Sequence, residues 1–462
     1  MKLNKSRMAG KVTVMGLGVH GGGAASAAFF ANRGAEVTVT DLRTADQLAP
    51  SLDLLKGLPV RYVLGEHREA DFRNADLVIK NPGVPASSPY LAMADRIETD
   101  ISVFLTLTEN PVVAVTGSKG KSFTASAIHR ILEHSGNSAK LGGNITVSPL
   151  TFIDELEPGA PVVLELSSWQ LGDLRGKGVL RPEAAVVTTI IPDHQDYYGS
   201  MEPYIADKKV IFESQNKDQY TILNGANPDT RQMADETPGC PLIFSPVPLE
   251  QDEYGAYLTS PEGPGYIRLK DRKELILPES ISVPGAHQRL NLLAAGLAGS
   301  VMGADPDRVR DVLSRFTGIP HRLEPAGEAG GISFYNDSAA TVPQAVGAAL
   351  SGFSRPVHLV TGGTDKSLDF SVVRDYVRKP AGIYLLEGTG TRKIIPILRE
   401  LGIPFRGPYA DLERCVADAF SSAVSGDVIL FSPGCTSFGM FRNEFHRGEC
   451  FKKAVKELSG KR

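Results

Sequence analysis

The residues at 116–122, TGSKGKS, have the types and spacing of a phosphate-binding loop. They follow an apolar run at 112–116 that is typical of a β-strand, and apolar residues at helical spacing come after them. A glycine turn between a strand and a helix directs backbone N–H groups and the positive end of the helix dipole at an anion. Lys121 could reach the β- and γ-phosphates, and Ser122 could hold Mg²⁺. The sequence therefore predicts binding of ATP or GTP.

This loop is a shortened form of the Walker pattern, because Val115 stands where that pattern has its first glycine. The alternative interpretation is a glycine turn that carries a surface lysine. If the loop does bind a nucleotide, its residues are the phosphate ligands. They are Gly117, Ser118, Lys119, Gly120, Lys121 and Ser122.

A second glycine loop, GLGVHG at 16–21, follows an apolar run at the N-terminal end of the chain. Asp41 ends the next strand-like segment, and an acidic residue there completes the dinucleotide-binding fingerprint. The pattern predicts a site for the phosphates of a dinucleotide or a nucleotide-sugar. The alternative is a tight turn that packs helix on strand. The candidate ligands are Gly18, Val19, His20, Asp41 and Arg43.

Three further residues near the phosphate loop could bind metal. Glu165 ends an apolar strand, and a carboxylate beside a phosphate loop is a usual Mg²⁺ ligand. His194 follows a strand predicted at 184–191 and could be a metal ligand or a proton carrier. An ion-paired acid and a structural histidine are the alternatives. Lys208 has, by sequence alone, the features of an ordinary exposed helix lysine.

The last third of the chain also places polar residues after predicted strands. Arg322 and Lys366 are candidate clamps for phosphate or carboxylate. Asp337 follows a strand at 332–335, and Ser437 lies in SPGCTS after a strand at 428–431. Ligands of α/β sheets bind at the carboxyl ends of the strands, so we expect a ligand cleft there.

Strand-like and helix-like segments alternate along 462 residues, which exceeds one hydrophobic core. The alternation predicts an α/β protein of three domains with parallel sheets covered by helices. We expect a Rossmann-like domain at 1–98, a central mononucleotide-binding P-loop domain at 99–317 and a Rossmann-like domain at 318–462. The stretch 226–282, rich in Pro, Gly and Asp, is interpreted as an irregular β insertion.

Composition excludes several classes of protein. The formal net charge of −4 disfavours a general nucleic-acid binder. The four cysteines have no CxxC spacing and are interpreted as reduced cytosolic thiols. Apolar runs are too short for a membrane span, and the N-terminal segment lacks the apolar core of a signal peptide. We therefore expect a cytoplasmic protein without membrane or nucleic-acid partners, and a monomer.

Taken in order, these motifs resemble the Mur ligases over essentially the whole chain. The resemblance rests on GLGxxG with TDxR, TGSKGKS, GGN, ELSSWQL, the DH at 193–194, AxK at 206–208, GxHxxxN at 285–291, TGIPHR, NDS, GGxxK and SPGCTS. The resemblance is greatest to the members of the family that use ATP to add D-glutamate to UDP-N-acetylmuramoyl-L-alanine. The first glycine loop then resembles a UDP-sugar site.

The resemblance implies a role for each motif residue. Lys121 and Ser122 would contact the ATP phosphates and Mg²⁺, and Glu165, His194 and a carbamylated Lys208 would complete the metal site. The remaining implied ligands are Asn291 for adenine, Arg322 for phosphate, Asp337 for ribose, Lys366 and Ser437 for glutamate, and Asn144 for the nucleotide-sugar substrate. The carboxylate would become an acyl phosphate that the amine of glutamate attacks.

Several positions depart from the family pattern. Lys119 stands where asparagine is usual in the loop, and Ala339 where a lysine is usual after NDS. Glu444 takes the place of a phenylalanine in the amino-acid pocket, with Phe445 beside it. We expect Glu444 to turn away from the pocket and Phe445 to cover the substrate.

Three alternative functions are considered: two are other classes of protein, and one is a ligase with a different amino-acid substrate. A nicotinamide-dependent dehydrogenase would explain GLGVHG and Asp41 but leaves TGSKGKS without a role. A non-catalytic ATP-binding protein would have lost the metal ligands, whereas Glu165, His194 and Lys208 are all present. A ligase of the same kind that adds another amino acid, such as L-glutamate, is the third.

Overall fold

The computed structural model describes residues 10–19, 21–145, 147–270, 272–283, 285–365, 368–437 and 439–459. In these ranges, strands and helices alternate and the strands form three sheets. The chain divides into two compact units between Phe316 and Thr317. The first unit contains the first two sheets, and the second unit contains the third.

Five parallel strands form the first sheet. They are β1 (Lys11–Met15), β2 (Glu36–Asp41), β3 (Val60–Leu64), β4 (Leu77–Lys80) and β5 (Ile97–Glu98), with α1 (Gly22–Ala31), α2 (Ala45–Asp53) and α3 (Glu69–Arg73) between them. The order is β3-β2-β1-β4-β5. After β1 the chain continues to β2 on one side, and after β4 it continues to β5 on the other side. Ligands of such sheets bind at the carboxyl ends of the two neighbouring strands where the direction changes, here β1 and β4.

The second sheet is the largest. Its strands are β6 (Val112–Thr116), β7 (Lys140–Gly143), β8 (Val162–Glu165), β9 (Ala184–Val187), β10 (Tyr220–Asn224), β11 (Cys240–Ser245), β12 (Gly255–Leu258), β13 (Gly265–Leu269) and β14 (Arg272–Leu277). Their order is β14-β13-β12-β11-β10-β9-β6-β8-β7, and β13 alone is antiparallel to both of its described neighbours. The strands next to β6 are thus β8 and β9, which brings their carboxyl ends to the phosphate loop.

Eight helices in the described residues accompany this sheet. They are α4 (Asp100–Leu107), α5 (Lys121–His134), α6 (Ser168–Leu174), α7 (Gln195–Tyr198), α8 (Met201–Lys209), α9 (Pro228–Gln232), α10 (Ala286–Val301) and α11 (Pro306–Arg315). α5 packs against α10. Gly299 permits this packing, because a Cβ there would lie 2.6 Å from a side-chain carbon of Ile131. The buried apolar faces of these helices cover the sheet.

The third sheet belongs to the second unit. Its strands are β15 (Glu324–Ala329), β16 (Ile332–Asn336), β17 (Val357–Thr361), β18 (Gly382–Leu386), β19 (Arg406–Tyr409) and β20 (Val428–Phe431), with α12 (Pro343–Leu350), α13 (Thr391–Glu400), α14 (Leu412–Ser422) and α15 (Glu444–Ser459). The order is β15-β16-β20-β17-β18-β19, with an antiparallel edge at β15. The central strands β17 and β20 are fully buried apolar runs, as parallel strands covered on both faces are.

The predicted α/β class and the three sheets are confirmed, but two details are wrong. The stretch 226–282 is β, as predicted, but it is not an irregular insertion, since β11–β14 extend the second sheet with short strands separated by turns. The strand predicted at 184–191 ends at Val187, because Thr188 leaves the sheet and its hydroxyl donates to the carbonyls of Thr116 and Lys119. The domain boundary near residue 98 stays a prediction. No helix in the described ranges combines the length and apolar character needed to cross a membrane.

Candidate active site

The loop between β6 and α5 is held in a shape that requires glycine. Gly117 has φ 142° and Gly120 has φ 89°. A Cβ on Gly117 would lie 2.0 Å from Thr188 Oγ1, and one on Gly120 would lie 2.7 Å from Asn291 Oδ1. A side chain at either position would therefore clash with its neighbour as well as strain the backbone. The contact also places Asn291, the predicted adenine ligand, against the loop.

Two lysine side chains meet at this loop. Lys121 Nζ donates to the carbonyl oxygen of Gly117 at 2.9 Å and to that of Ser118 at 3.2 Å. Lys208 Nζ donates to the same Gly117 oxygen at 3.0 Å. Like charges this close repel each other, so an anion beside them is strongly favoured. The loop therefore has two lysine amino groups placed together where the sequence predicts phosphate.

Lys208 is buried, with 1% of its surface exposed, so its interpretation as an exposed helix lysine is wrong. α8 turns this face toward the phosphate loop, and the ammonium lies 4.5 Å from the ring centre of Tyr204. Burial, and then the charge of Lys121, lower the pKa of Lys208 to about 7. A substantial fraction of this amine is therefore neutral near pH 7, and a neutral amine is what reaction with CO₂ requires.

Tyr204 is a site residue that the sequence analysis did not identify. Its hydroxyl lies 2.8 Å from Ser118 Oγ, and Ser118 Oγ also lies 2.9 Å from the carbonyl oxygen of Ile191. Ser118 thus links the phosphate loop to the strand-end loop that leads to His194, and Tyr204 holds this serine from α8. Its place one helical turn before Lys208 is the signal that could have found it, because residues four apart share a helix face.

Lys119 is more exposed than Lys121 and Lys208. Its side chain is 69% exposed, and Nζ lies 3.3 Å from Asp193 Oδ2. Thr188 Oγ1 donates to the carbonyl oxygen of Lys119 at 2.6 Å. The hydrogen bond from Thr188 holds the backbone of Lys119 in place. Its side chain extends to Asp193, the residue before His194.

Glu165 ends β8 directly beside the loop, because the β6–β8 register pairs it with Val115. Its side chain is 1% exposed, and Oε1 accepts a hydrogen bond from Asn144 Nδ2 at 2.8 Å. Oε2 has no hydrogen-bond partner among the described residues. A buried carboxylate oxygen without a partner is a position that a cation would satisfy. Asn144, a predicted substrate ligand, is here the residue that orients this carboxylate.

His194 lies at the start of α7 with a left-handed φ of 51°. It is exposed, and its ring centre is 4.9 Å from that of Trp169. Over the ranges that the structure describes, no three His, Cys, Asp or Glu side chains form a metal-binding group. The predicted set has only two residues of these types, Glu165 and His194. The free oxygen of Glu165 fits Mg²⁺, and the ligand role of His194 stays a prediction.

The first glycine loop is organised by Asp41. Its Oδ2 accepts a hydrogen bond from the N–H of Gly18 at 3.0 Å, and Oδ1 accepts one from the N–H of Arg43 at 2.9 Å. Asp41 is buried, whereas the side chains of Val19 and Arg43 are at the surface. The predicted acid therefore holds the loop in place at the end of β1. Of the candidate ligands at this loop, His20 lies outside the described residues.

A cavity of about 340 Å³ opens beside α6 in the first unit. One wall is the segment 82–86 that follows β4, and the other includes Trp169 and Tyr197. Lys80 and Asp173 lie at its base, with Lys80 Nζ 2.7 Å from Asp173 Oδ2. α6, which lines this cavity through Trp169, Gly172 and Asp173, begins three residues after Glu165 at the end of β8. Its apolar walls and few polar groups are those of a small-molecule site.

Asp337 is the most constrained site residue of the second unit. Its Oδ1 accepts a hydrogen bond from the N–H of Leu323 at 3.1 Å, and its Oδ2 accepts one from Ser432 Oγ at 2.7 Å. Burial raises the pKa of Asp337 to about 6, and the charge of Arg322 opposes that rise. Asp337 thus fixes the turn that carries Arg322, whose own side chain is exposed.

The predicted amino-acid pocket lies at the carboxyl edge of the third sheet. Ser437 is 4% exposed and lines a small pocket there. The ring of Phe445 is 52% exposed and lies edge-on to His321, with 5.6 Å between the ring centres. The carbonyl of Glu444 accepts a hydrogen bond from Ser338 Oγ at 2.7 Å. Lys366, the other predicted glutamate ligand, lies outside the described residues.

Known proteins match the chain over its length. The Mur ligase middle domain matches residues 115–299, and the N-terminal domain of MurD-like Mur ligases matches residues 10–103. The UDP-N-acetylmuramoylalanine--D-glutamate ligase of Treponema pallidum is 40% identical, over 99% of each chain. A protein of the same name from Roseiflexus sp. is also 40% identical, over 98% of this chain and 100% of its own.

Solved structures share the fold. The UDP-N-acetylmuramate-alanine ligase MurC of Thermotoga maritima is 19% identical with a TM-score of 0.55, over 97% of this chain and 99% of its own. A pseudomurein peptide ligase type C of Methanothermus fervidus is 17% identical with a TM-score of 0.51, over 97% of this chain and 100% of its own. The resemblance inferred from the motifs is confirmed by the full-length relatives. The chain belongs to the Mur ligase family.

Proposed function

We propose that the chain is an ADP-forming ligase that joins D-glutamate to UDP-N-acetylmuramoyl-L-alanine, in the synthesis of peptidoglycan precursors. The observation that carries the proposal is the pair of ammonium groups of Lys121 and Lys208 on one carbonyl oxygen of the glycine loop. The unpartnered oxygen of Glu165 lies at the neighbouring strand end. Full-length relatives that bear the name of this ligase support the choice of substrates.

The reaction needs ATP because a free carboxylate is a poor electrophile. In the first step an oxygen of the alanyl carboxylate attacks the γ-phosphorus of ATP, and ADP leaves. In the second step the neutral amine of glutamate attacks the acyl carbon. Inorganic phosphate leaves, and the amine loses a proton as the amide forms. Negative charge accumulates on the phosphoryl group in the first step, so positioned cations there give the largest stabilisation.

The residues of the first unit divide this work. Lys121 would leave the loop carbonyls for the phosphates of ATP, which the N–H groups at the start of α5 would also contact. Asn291 would face the adenine from α10. The loop at 16–21 would hold the uridine nucleotide-sugar. The 340 Å³ cavity beside α6 would then hold the acyl arm next to Glu165.

A magnesium ion would be held by Ser122, Glu165, His194 and a carbamylated Lys208. When bound, it would neutralise charge that builds up among the phosphate and carboxylate oxygens. The chain itself contributes the orientation of Glu165 by Asn144 and the burial that lowers the pKa of Lys208. Carbamylation would turn a cation into an anion at the same position, and this would remove the repulsion between Lys208 and Lys121.

The second unit would bind the amino acid. Ser437 and Lys366 are the proposed contacts for the carboxylates of glutamate, and Arg322 and Asp337 are the proposed contacts for ATP. In the structure, Asp337 holds the turn that presents Arg322. In the structure, Ser437 is buried after the carboxyl end of β20 and lines the small pocket there.

The test is phosphate release with ATP and UDP-N-acetylmuramoyl-L-alanine across a panel of D- and L-amino acids. We expect turnover with D-glutamate that depends on all three substrates and on Mg²⁺. Preference for L-glutamate would show the same ligase reaction with the opposite configuration of the added amino acid. No release with any amino acid would overturn the proposal. Sedimentation of the same preparation tests the predicted monomer.

Calorimetry separates this function from a dehydrogenase. The first glycine loop could take the pyrophosphate of either ligand class. We expect heat of binding with the UDP-sugar and none with NADH, because the phosphate loop and the other ligase motifs have no role in a dehydrogenase. Binding of NADH without binding of the UDP-sugar would favour the dehydrogenase.

A further inference from the structure

Arg447 on α15 is a buried arginine that has no acidic partner in the part of the chain that the structure describes. Its side chain is 1% exposed. Nε donates to Ser338 Oγ at 3.0 Å, Nη2 to the carbonyl oxygen of Ser338 at 2.8 Å, and Nη1 to that of Cys435 at 3.0 Å. All of these acceptors are neutral, so the hydrogen bonds are satisfied while the charge is not balanced.

An unbalanced buried charge is costly for a protein to keep. Buried cations are normally paired with an anion, because transfer from water to the interior costs several kcal/mol per ion. Burial lowers the pKa of Arg447 to about 10, which leaves the guanidinium charged at neutral pH. An anion that binds from outside the chain would balance this charge.

The charge lies at the place where the amino acid is proposed to bind. Arg447 lines the same small pocket as Ser437, Thr436 and Gly363, at the carboxyl ends of β17 and β20. The free volume there is about 10 Å³, which is room for one water-sized group. A carboxylate oxygen could therefore approach the guanidinium from the mouth of the pocket, and the rest of the ligand would stay above it.

Gly363 keeps this approach open. A Cβ at position 363 would lie 2.9 Å from the carbonyl oxygen of Thr436 and 3.8 Å from Arg447 Nη1. Its φ of 141° is also a conformation that other residues rarely adopt. The absence of a side chain at Gly363 therefore leaves the Arg447 side of the pocket uncovered.

Three carboxylates near the pocket do not balance the charge. Asp365 is paired with Lys393 at 2.6 Å. Glu387 lines the mouth of the pocket and is exposed to solvent. Glu444 attracts Arg447 electrostatically without reaching ion-pair distance. Asp365 is offset by its lysine and Glu387 is screened by water, so these carboxylates weaken the attraction of Arg447 for an anion less than a buried ion-pair partner would.

We propose that Arg447 determines the specificity of the second unit for an amino acid with a side-chain carboxylate, as the buried counter-charge to that group. This inference rests on the proposed function. Arg447 acts through its field and through the loops of Ser338 and Cys435 that it holds, so it is a specificity-determining residue that lies behind the surface touched by substrate. A lysine in its place would keep the charge, and a glutamine would lose it.

The experiment compares Arg447→Lys with Arg447→Gln in the full chain, with Arg414→Gln as the control. Arg414 is an exposed residue of the same unit, so its replacement removes the same charge from the surface. We expect Arg447→Gln to raise the KM for glutamate about tenfold or more while the KM values for ATP and the UDP-sugar change less than twofold. Arg447→Lys should stay within about threefold of wild type, and Arg414→Gln should match wild type.

Equal effects of the lysine and glutamine variants on the KM for glutamate would overturn the proposal, because a structural role does not depend on charge. A parallel rise of all three KM values would overturn it too. If Arg447→Gln has no cooperative melting transition, Arg447→Lys still decides, since a folded lysine variant with a tenfold higher KM for glutamate alone contradicts a charge role. Failure of the proposed function is distinguishable, because wild type would then show no turnover with glutamate before any variant is made.

Discussion

The phosphate loop of the first unit and the proposed amino-acid pocket of the second unit both lie at the carboxyl ends of parallel strands, yet they present positive charge in opposite ways. In the first, the ammonium groups of Lys121 and Lys208 crowd one carbonyl of the loop that would hold the ligand. In the second, Arg447 lies beneath two loops and is tied to their neutral oxygens. We expect a ligand to displace the first contacts and to leave the second in place.

This difference follows from what each site must do. Phosphoryl transfer needs cations that touch the oxygens where charge develops, and such groups must be free to change partners. Selection of an amino acid needs a field that persists before and after binding, and a buried charge in fixed hydrogen bonds supplies it. Substitutions in the first unit should therefore reduce turnover, and those in the second should change KM.

The largest effect should come from Lys208→Ala. We expect about a thousandfold loss of activity, because the variant removes both a group of the proposed metal site and the amine that would form the proposed carbamate. Acetate should partly restore activity by replacing the missing carboxylate. Lys209→Ala is the matched control, since the neighbouring lysine makes only an ion pair with Glu236 at the surface. Normal turnover by Lys208→Ala would show that the first site does not work through this residue.

Lys121→Ala should reduce phosphate release by at least two orders of magnitude, with the fold retained. A charge placed at the developing phosphoryl charge contributes a large part of the rate. The KM for glutamate should change little, because Lys121 belongs to the other unit. Arg130→Ala, an exposed change on the same helix, serves as the control. Near-normal phosphate release from a folded Lys121→Ala protein would contradict the role of the loop.

Asp337 gives a test by pH. Its pKa of about 6 lies above the value of 3.8 for an unperturbed aspartate, so the native state binds more protons than the unfolded state between these values. Stability should therefore fall as pH rises from about 4 to 6, by at most about 3 kcal/mol. Asp337→Asn should remove this dependence, which melting curves across the pH range would measure. A variant that keeps the full pH slope would place its origin elsewhere.

The first site could be read from sequence because its parts are contiguous. The order strand, TGSKGKS, helix is local, and the apolar runs that predict β6 and α5 also fix where the lysines point. Burial of Lys208 could not be predicted from its own helix, since it depends on α8 facing a loop about 90 residues earlier. A place for Lys208 in the metal site became an expectation only through the resemblance to a family.

The second site was less predictable for the same reason. Arg447 contacts Ser338, 109 positions before it, and nothing in the local sequence of α15 marks it as buried. The strands β11–β14 were underestimated because their apolar residues are few and interrupted by Gly and Pro, although pairing with β10 brings them into the sheet. Local patterns predicted the elements well, and contacts between distant elements decided the site.

Lys366→Ala should raise the KM for glutamate about tenfold and leave kcat and the KM for ATP close to wild type. The reason is the loss of the proposed charge-assisted contact with a carboxylate of glutamate. Kinetics with glutamate as the varied substrate measures it. Lys379→Ala, which removes an exposed lysine that contacts Ser351, is the control. A large loss of kcat would instead assign Lys366 to the chemical step.

The smallest effect should come from Glu444→Ala, and it tests the comparison most finely. Glu444 stands where the family has a phenylalanine, and a carboxylate close to a dianionic substrate would repel it by about 1 kcal/mol or more. The structure ties Glu444 to the second unit through its backbone carbonyl, which accepts from Ser338 Oγ, and the alanine variant keeps that bond. We therefore expect the KM for glutamate to change less than twofold, as for the control Glu457→Ala on the same helix. A fall of tenfold would show that Glu444 opposes Arg447 within the pocket. The preferred amino acid would then be set by the balance of these two charges.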